Sequence, residues 1–281
     1  MLAEPESVSI SENSDPKLVP AVERAVRVLD ALAGARQPLP LAELARTLAL
    51  PKSSVHGLLG TLTSLGLARR NAQGEFALGA KPLQWAEAYA AQSDVLRAFD
   101  AHAGRFAALQ PETVMLAVLD GADVMYLACR QGSRPLAVNF RVGGRFPASC
   151  TSSGKAILST FAPEQVRALL SDGGLRRLTR HSLGSVAALL RQLDGFRDQG
   201  YALDDEETAE GMFCLGAPVF AARRGTAVAA VAVSAIKAAV TPKRRTELVT
   251  AIRRLAEAIS AELGGGNAAT AAANQGRGLA R

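Results

Sequence analysis

LAELARTLALPKSSVHGLLGTLTSL, residues 41–65, decides the fold, because it holds two short helical patterns separated by a tight turn. In the first, Leu41, Leu44, Ala45 and Leu48 fall at i, i+3, i+4 and i+7 and make one apolar stripe, with Glu43 and Arg46 on the wet side. Ala49 and Leu50 form the turn. Pro51 is expected as the first residue of the next helix, where its fixed φ suits a helix start and its missing N–H is not needed. In that second helix Val55, Leu58, Leu59, Leu62 and Leu65 repeat the spacing. The opposite face carries Lys52, Ser53, Ser54, His56, Gly57, Gly60, Thr61 and Ser64. Solvated helix faces are usually laced with Glu and Lys, yet no carboxylate stands between Pro51 and Gln73. Such a face can approach a polyanion, and its small hydrogen-bonding groups suit base edges and phosphates in a major groove.

A hairpin is expected next, with strands over residues 67–70 and 75–78 turned at Asn71-Ala72-Gln73-Gly74, and with Arg69 and Arg70 side by side. A basic β-wing behind such a helix pair makes a winged helix-turn-helix. The candidate DNA contacts are therefore Lys52, Ser53, Ser54, His56, Gly57 and Thr61, with Arg69 and Arg70 on the wing. Upstream, Val22, Val26, Leu29 and Ala33, flanked by Val28 and Leu32, define a supporting helix from Ala21 to near Gly34.

The run Val19-Pro20-Ala21-Val22-Glu23-Arg24-Ala25, the helix pair with Pro51-Lys52-Ser53-Ser54-Val55-His56, then Leu65-Gly66-Leu67 and Phe76-Ala77-Leu78-Gly79 resemble the N-terminal domain of the IclR family of bacterial transcriptional regulators. The similarity continues through Ser152-Ser153-Gly154-Lys155-Ala156 and Gly200-Tyr201-Ala202-Leu203-Asp204-Asp205-Glu206-Glu207 to Cys214 and Pro218, so it covers nearly the whole chain. One departure is Gly57, which stands where the family usually has Arg; the contact that Arg makes is missing here. The resemblance implies a C-terminal GAF-like effector domain. Its pocket would be built from Ser152 and Ser153, Asp204, Cys214 with Met212 near it, and Ser234; Ala232 stands where some relatives carry a second Ser. It also implies a homodimer or dimer of dimers on operator DNA, with a small organic acid as effector and no cofactor.

Composition agrees without demanding this answer. At 281 residues and 48% hydrophobic content the chain can fill one large core or two ordinary ones. A net charge of +6 favours a polyanionic partner. No apolar run approaches a membrane span, and the acidic start Met1-Leu2-Ala3-Glu4-Pro5-Glu6 is unlike a signal peptide, so a cytoplasmic protein is expected. Cys129, Cys150 and Cys214 have no C-x-x-C spacing, and His56, His102 and His181 are far apart, so neither a disulfide framework nor a metal site is indicated.

In chain order, residues 1–17 are polar and aperiodic and are expected to be a disordered tail, with the winged domain over 18–80. A linker helix over 81–92 carries Trp85 and Tyr89 at i and i+4, a pair suited to interdomain or dimer packing. The effector domain over 93–264 is read as α+β with a mostly antiparallel sheet. A helix through Leu96, Phe99, Ala103 and Phe106 closes at Pro111; strands follow over 114–119 and 124–129 around Asp120-Gly121-Ala122-Asp123, then over 136–140, 201–204, 215–220 and 227–235. Helices are expected over 153–158, 163–169 and 186–196. A final helix is capped by Thr241-Pro242 and carries Leu248, Ile252, Leu255 and Ile259. Residues 265–281, rich in Gly, Ala and Asn, are expected to be a second disordered tail.

Cys150-Thr151-Ser152-Ser153-Gly154-Lys155 fails as a phosphate loop, which needs Gly at Ser149 and Ser or Thr at Ala156. As S-x-x-K, Ser152 and Lys155 would be nucleophile and base of an acyl transferase or hydrolase, but no K-T-G element occurs. The same loop read as a helix start offers N–H groups and hydroxyls to an anion. A non-specific architectural DNA binder is disfavoured by the large non-basic second domain.

Overall fold

The computed structural model describes residues 19–134, 140–171, 175–221 and 225–264. Both expected tails lie outside them. The chain divides into two units, Met1–Tyr89 and Ala90–Arg281.

The first unit is a three-helix domain with a short hairpin. Helix α1 (Pro20–Gly34) packs against α2 (Leu41–Leu48) and α3 (Lys52–Ser64), with Val28, Leu32, Leu44, Leu48, Val55, Leu59 and Leu62 in the core. The stripe expected on α1 is corrected here: Val22 and Val26 are exposed, and the face turned inward is that of Val28 and Leu32. Arg27 of α1 donates to the Leu48 carbonyl at 3.0 Å, placing a cation on the C-terminal end of α2. The turn uses Ala49 in the left-handed region, at φ 52°, followed by Leu50, which Pro51 keeps out of the helical region. Pro51 itself is the cap, at φ −57° and ψ 138°, so α3 starts one residue later than expected, at Lys52. Leu65 caps the other end and is 58% exposed, outside the stripe assigned to it from sequence. Strands β1 (Ala68–Arg70) and β2 (Phe76–Leu78) pair antiparallel, each one residue shorter than expected at its outer or loop end. Helix α4 (Lys81–Gln92) buries none of its residues.

The second unit is one antiparallel sheet between two helical layers. Helix α5 (Asp94–His102) ends well before Pro111, and two short 3-10 turns, Ala103–Arg105 and Ala107–Leu109, follow it. Strands β3 (Thr113–Asp120) and β4 (Asp123–Arg130) form the expected hairpin, with Gly121 at φ 58° in its loop. The strand expected over 136–140 lies outside the described residues apart from Phe140, which is buried in irregular chain. An unforeseen strand, β5 (Arg145–Pro147), pairs with β4 instead. Helices α6 (Ser152–Leu158), α7 (Pro163–Leu169) and α8 (Val186–Gln199) precede β6 (Ala202–Asp205), β7 (Met212–Val219) and β8 (Ala229–Ile236). Helix α9 (Pro242–Glu262) is capped as expected, the Thr241 hydroxyl accepting from Arg244 N at 3.2 Å. The sheet order is β5-β4-β3-β8-β7-β6.

Alternation splits the sheet between two cores. Val114, Leu116, Leu215, Val231 and Val233 face α5 and α9, against Leu248, Ile252, Leu255 and Ile259. Met115, Ala117, Tyr126, Cys214 and Ala232 face the other way, with α7 and α8 contributing Val166, Leu189 and Leu193. On this second face α6 lies almost on the sheet backbone. A Cβ at Gly216 of β7 would meet the Ser152 carbonyl oxygen at 2.4 Å, and one at Gly154 would meet that of Ala148 at 2.3 Å.

Candidate functional site

In the first unit the exposed face of α3 presents Lys52, Ser53, His56, Gly57, Gly60, Thr61 and Ser64, with Ser54 half-buried. Two of its hydroxyls are turned back on the helix: Thr61 Oγ1 donates to the Gly57 carbonyl at 3.2 Å and Ser64 Oγ to that of Gly60 at 3.0 Å. Thr61 thus keeps only lone pairs and its methyl group for a partner. A Cβ at Gly57 would meet nothing within 4 Å, so the missing side chain leaves open space rather than a filled contact.

The wing is rigid at its turn. Asn71 Oδ1 accepts the Glu75 N–H at 2.8 Å, its Nδ2 donates to Glu75 Oε2 at 2.9 Å, and Gly74 takes φ 85°. Strand alternation sends Arg69 and Arg70 to opposite faces. Arg70 lies along the hairpin, its guanidinium 5.6 Å from the Phe76 ring centre and its Nε donating to the Gly74 carbonyl at 3.3 Å. Arg69 stays exposed.

In the second unit the sheet gathers residues far apart in sequence. Register pairs Asp204 with Cys214 and Cys214 with Ser234, in a row across β6, β7 and β8. The Cys214 thiol donates to Ser234 Oγ at 3.2 Å, and burial pushes its ionisation well above the usual thiol value. Met212 begins the same strand and is buried. Ser152 and Ser153 open α6, whose seven residues are all buried, and Thr151 caps it by accepting from Gly154 N at 3.0 Å. Ser152, Ser153, Asp204, Met212, Cys214 and Ser234 are thus all buried, and each stands on α6 or on the sheet face behind it.

Asp204 has a prior engagement. Its Oδ1 accepts the Glu207 and Thr208 N–H groups at 2.8 and 3.1 Å, which forms the turn after β6. Burial raises its pKa, opposed by the Thr208 hydroxyl and Lys155. Lys155 is fully buried, its Nζ 2.5 Å from Glu207 Oε1 and 3.3 Å from Gln192 Oε1. Among the described residues Lys155 Nζ makes its polar contacts with these two groups, and no hydrogen bond joins it to the Ser152 hydroxyl, the contact that the acyl-transfer reading needs.

One group the sequence did not single out joins this set. Tyr126 of β4 is buried on the same sheet face, with its ring 5.1 Å from that of Phe140 and 5.6 Å from that of Phe146. Its phenol lies close enough to Cys214, Asp204 and Ser153 for all three to influence its ionisation. A tyrosine in an apolar strand reads as core, and no spacing signal marks it out.

Comparison with known proteins gives the same two parts. The family model for the IclR helix-turn-helix domain matches residues 21–72, and that for the bacterial transcriptional regulator IclR C-terminal domain matches residues 87–261. The chain is 32% identical over 260 residues to the HTH-type transcriptional regulator KdgR of Dickeya chrysanthemi, covering 90% of this chain and 82% of that one. Among solved structures, the repressor BlcR of Agrobacterium tumefaciens aligns with a TM-score of 0.57 at 38% identity, covering 90% of this chain and 100% of the other. An IclR homologue from Microbacterium hydrocarbonoxydans, solved with 4-hydroxybenzoate, aligns with a TM-score of 0.71 at 25% identity, over 86% of this chain and 98% of its own. With both of its units matched, the chain belongs to the IclR family of bacterial transcriptional regulators, carrying a helix-turn-helix DNA-binding domain and the family's C-terminal effector domain.

Proposed function

We propose that the protein controls transcription by seating α3 in the major groove of operator DNA, with Lys52, Ser53, Ser54, His56 and Thr61 facing bases and phosphates and Arg69 holding the backbone from the wing. The observation that carries this reading is the exposed face of α3, which has no acidic residue and is followed by an exposed Arg69. DNA binding then responds to a small organic acid in the second unit, at the buried set of Ser152, Ser153, Met212, Cys214 and Ser234, while Asp204 shapes the site through its turn. The 4-hydroxybenzoate held by the Microbacterium homologue supports an acid of this class. The second unit acts as a sensor and not as an acyl transferase, given the commitment of Lys155 to Glu207 and Gln192.

The reading includes a dimer, in which two recognition helices meet half-sites about one DNA turn apart. Large apolar side chains exposed on the first unit, Val22 and Val26 on α1 and Leu83, Trp85 and Tyr89 on α4, support it. A cytoplasmic location follows from DNA as the partner, and no helix among the described residues is long and apolar enough to cross a membrane.

Salt titration of binding to the gene's own upstream DNA tests the proposal. Each neutralised phosphate contributes about 0.9 to the slope of log affinity against log salt. Arg69→Ala should therefore flatten the slope by about one contact, whereas Arg70→Ala, whose guanidinium is laid on Phe76, should change it less. Equal slopes for wild type and Arg69→Ala would remove the wing from the interface.

Gly57→Arg is expected to act in the opposite direction. The new side chain enters open space and replaces a helix-interior glycine that costs roughly 1 kcal/mol. It also adds a cation to the DNA face. Anisotropy titrations should show tighter binding to mixed-sequence DNA together with a higher melting temperature; a more stable but no tighter variant would place Gly57 off the DNA.

A further inference from the structure

The Ser153 hydroxyl is fully buried and has no hydrogen-bond partner. Buried hydroxyls are nearly always paired, so a lone one inside a site points to a group that arrives with the ligand. Other polar groups of the site make bonds of their own. Asp204 Oδ1 holds two backbone N–H groups, the Cys214 thiol is bonded to Ser234, and the Thr151 hydroxyl caps α6. The Tyr126 phenol lies near enough to Ser153 for that hydroxyl to lower its pKa as a hydrogen-bond partner does, although the two make no hydrogen bond of regular geometry. Burial, with Cys214 and Asp204 adding to it, keeps that phenol protonated and therefore a donor.

The phenol is also held still. Phe140 stands edge-on to the Tyr126 ring, with an interplanar angle of 69°, and Phe146 is tilted against it at 46°. Phe140 and Phe146 in turn meet edge to face at 5.8 Å, so the three rings brace one another. Fixing a donor before the ligand arrives removes part of the ordering cost of binding.

We propose that Tyr126 is a specificity-determining residue of the effector site, its phenol and the Ser153 hydroxyl together receiving the effector's carboxylate. Each hydroxyl donates one hydrogen bond to one carboxylate oxygen. This rests on the reading of the second unit as the sensor of an organic acid, and it names the two groups that recognise the acid. Charge-assisted hydrogen bonds of this kind are the strong ones.

The test uses the full chain and a fixed set of monocarboxylates, namely acetate, benzoate and 4-hydroxybenzoate, each beside its primary amide. Calorimetry on the wild type should find at least one carboxylate bound more tightly than its amide. Tyr126→Phe keeps the ring and its packing, and Ser153→Ala removes a hydroxyl that has no partner, so both variants should fold and melt as wild type does. Each should weaken the carboxylate at least tenfold. A carboxylate bound equally by wild type and both variants would overturn the role of this pair while leaving the sensor reading in place. A wild type that binds none of the carboxylates would overturn the acid-sensor reading and this inference with it.

Discussion

Gly216→Ala is expected to lower the melting temperature of the second unit by roughly 10 °C, although it adds a single methyl group. The methyl carbon would sit 2.4 Å from the Ser152 carbonyl oxygen, 2.5 Å from its carbon and 2.8 Å from the Ser153 nitrogen. All three are backbone atoms, so no side chain can swing aside. Either β7 or the start of α6 must move, and both are buried and paired to neighbours: Gly216 pairs with Ala202 and Ala232, while α6 is held on its other side by Gly154 against Ala148. Overpacking of this kind costs on the order of 3 kcal/mol, and for a unit of this size each kcal/mol moves the midpoint by about 2–4 °C. Gly195→Ala, at an exposed position inside α8 where a Cβ meets nothing within 4 Å, should raise the midpoint instead. Calorimetric melts of the two variants decide it. Similar shifts in both would mean that the close approach of α6 to the sheet does not exist in solution.

That close approach explains what could and could not be read from the chain. Elements whose ends are fixed by local chemistry were legible. Thr241-Pro242 caps α9, Ala49-Leu50-Pro51 stops one helix and starts the next, and Asp120-Gly121-Ala122-Asp123 turns a hairpin. On α1, periodicity offers two apolar stripes, and nothing local says which one meets the domain's own core. The structure turns Val28 and Leu32 inward and leaves Val22 and Val26 in water. Strand β5 has three residues, one of them Arg and one Pro, too few for alternation to show.

The buried site was legible mainly through resemblance, since its members come together only through sheet register and the packing of α6. The expectation for Asp204 concerned effector contact, and the structure adds a turn-forming role for its Oδ1 that the sequence did not signal. Tyr126 was passed over, because burial of an aromatic is the ordinary expectation for a strand and its three neighbours arrive from β6, β7 and α6.

Lys155 shows the same limit at larger energy. Its partner Glu207 lies 52 residues away in the chain, and the sequence offered only a nucleophile–base pattern for it. In the structure the pair is buried, with Lys155 0% and Glu207 8% exposed, and the ammonium also lies 5.5 Å from the Phe196 ring centre. Lys155→Met should destabilise the second unit by about 3–5 kcal/mol, because it leaves a carboxylate in the interior with no cation. Lys155→Met combined with Glu207→Leu should recover most of that loss, since removing both charges of a buried pair is often close to neutral.

The pH dependence has a definite sign. Burial pushes the Glu207 carboxyl above its usual range, Lys155 pulls it back, and Asp204 and Asp205 push it up further. In the Lys155→Met protein only the upward influences remain. A carboxyl whose folded-state pKa is raised contributes its stability below the unfolded value of about 4.3 and loses it as pH rises towards the folded value. Wild-type Glu207 is itself raised to about 7, so the deficit of the variant relative to wild type should be smallest below that pH, where both native states hold the proton, and widen above it; it should be pH-independent in the double variant. Denaturant titrations of the three proteins at several pH values measure this directly. A deficit that stayed constant with pH, or a double variant no more stable than Lys155→Met, would show that Lys155 matters for its packing on Phe196 and not for its charge.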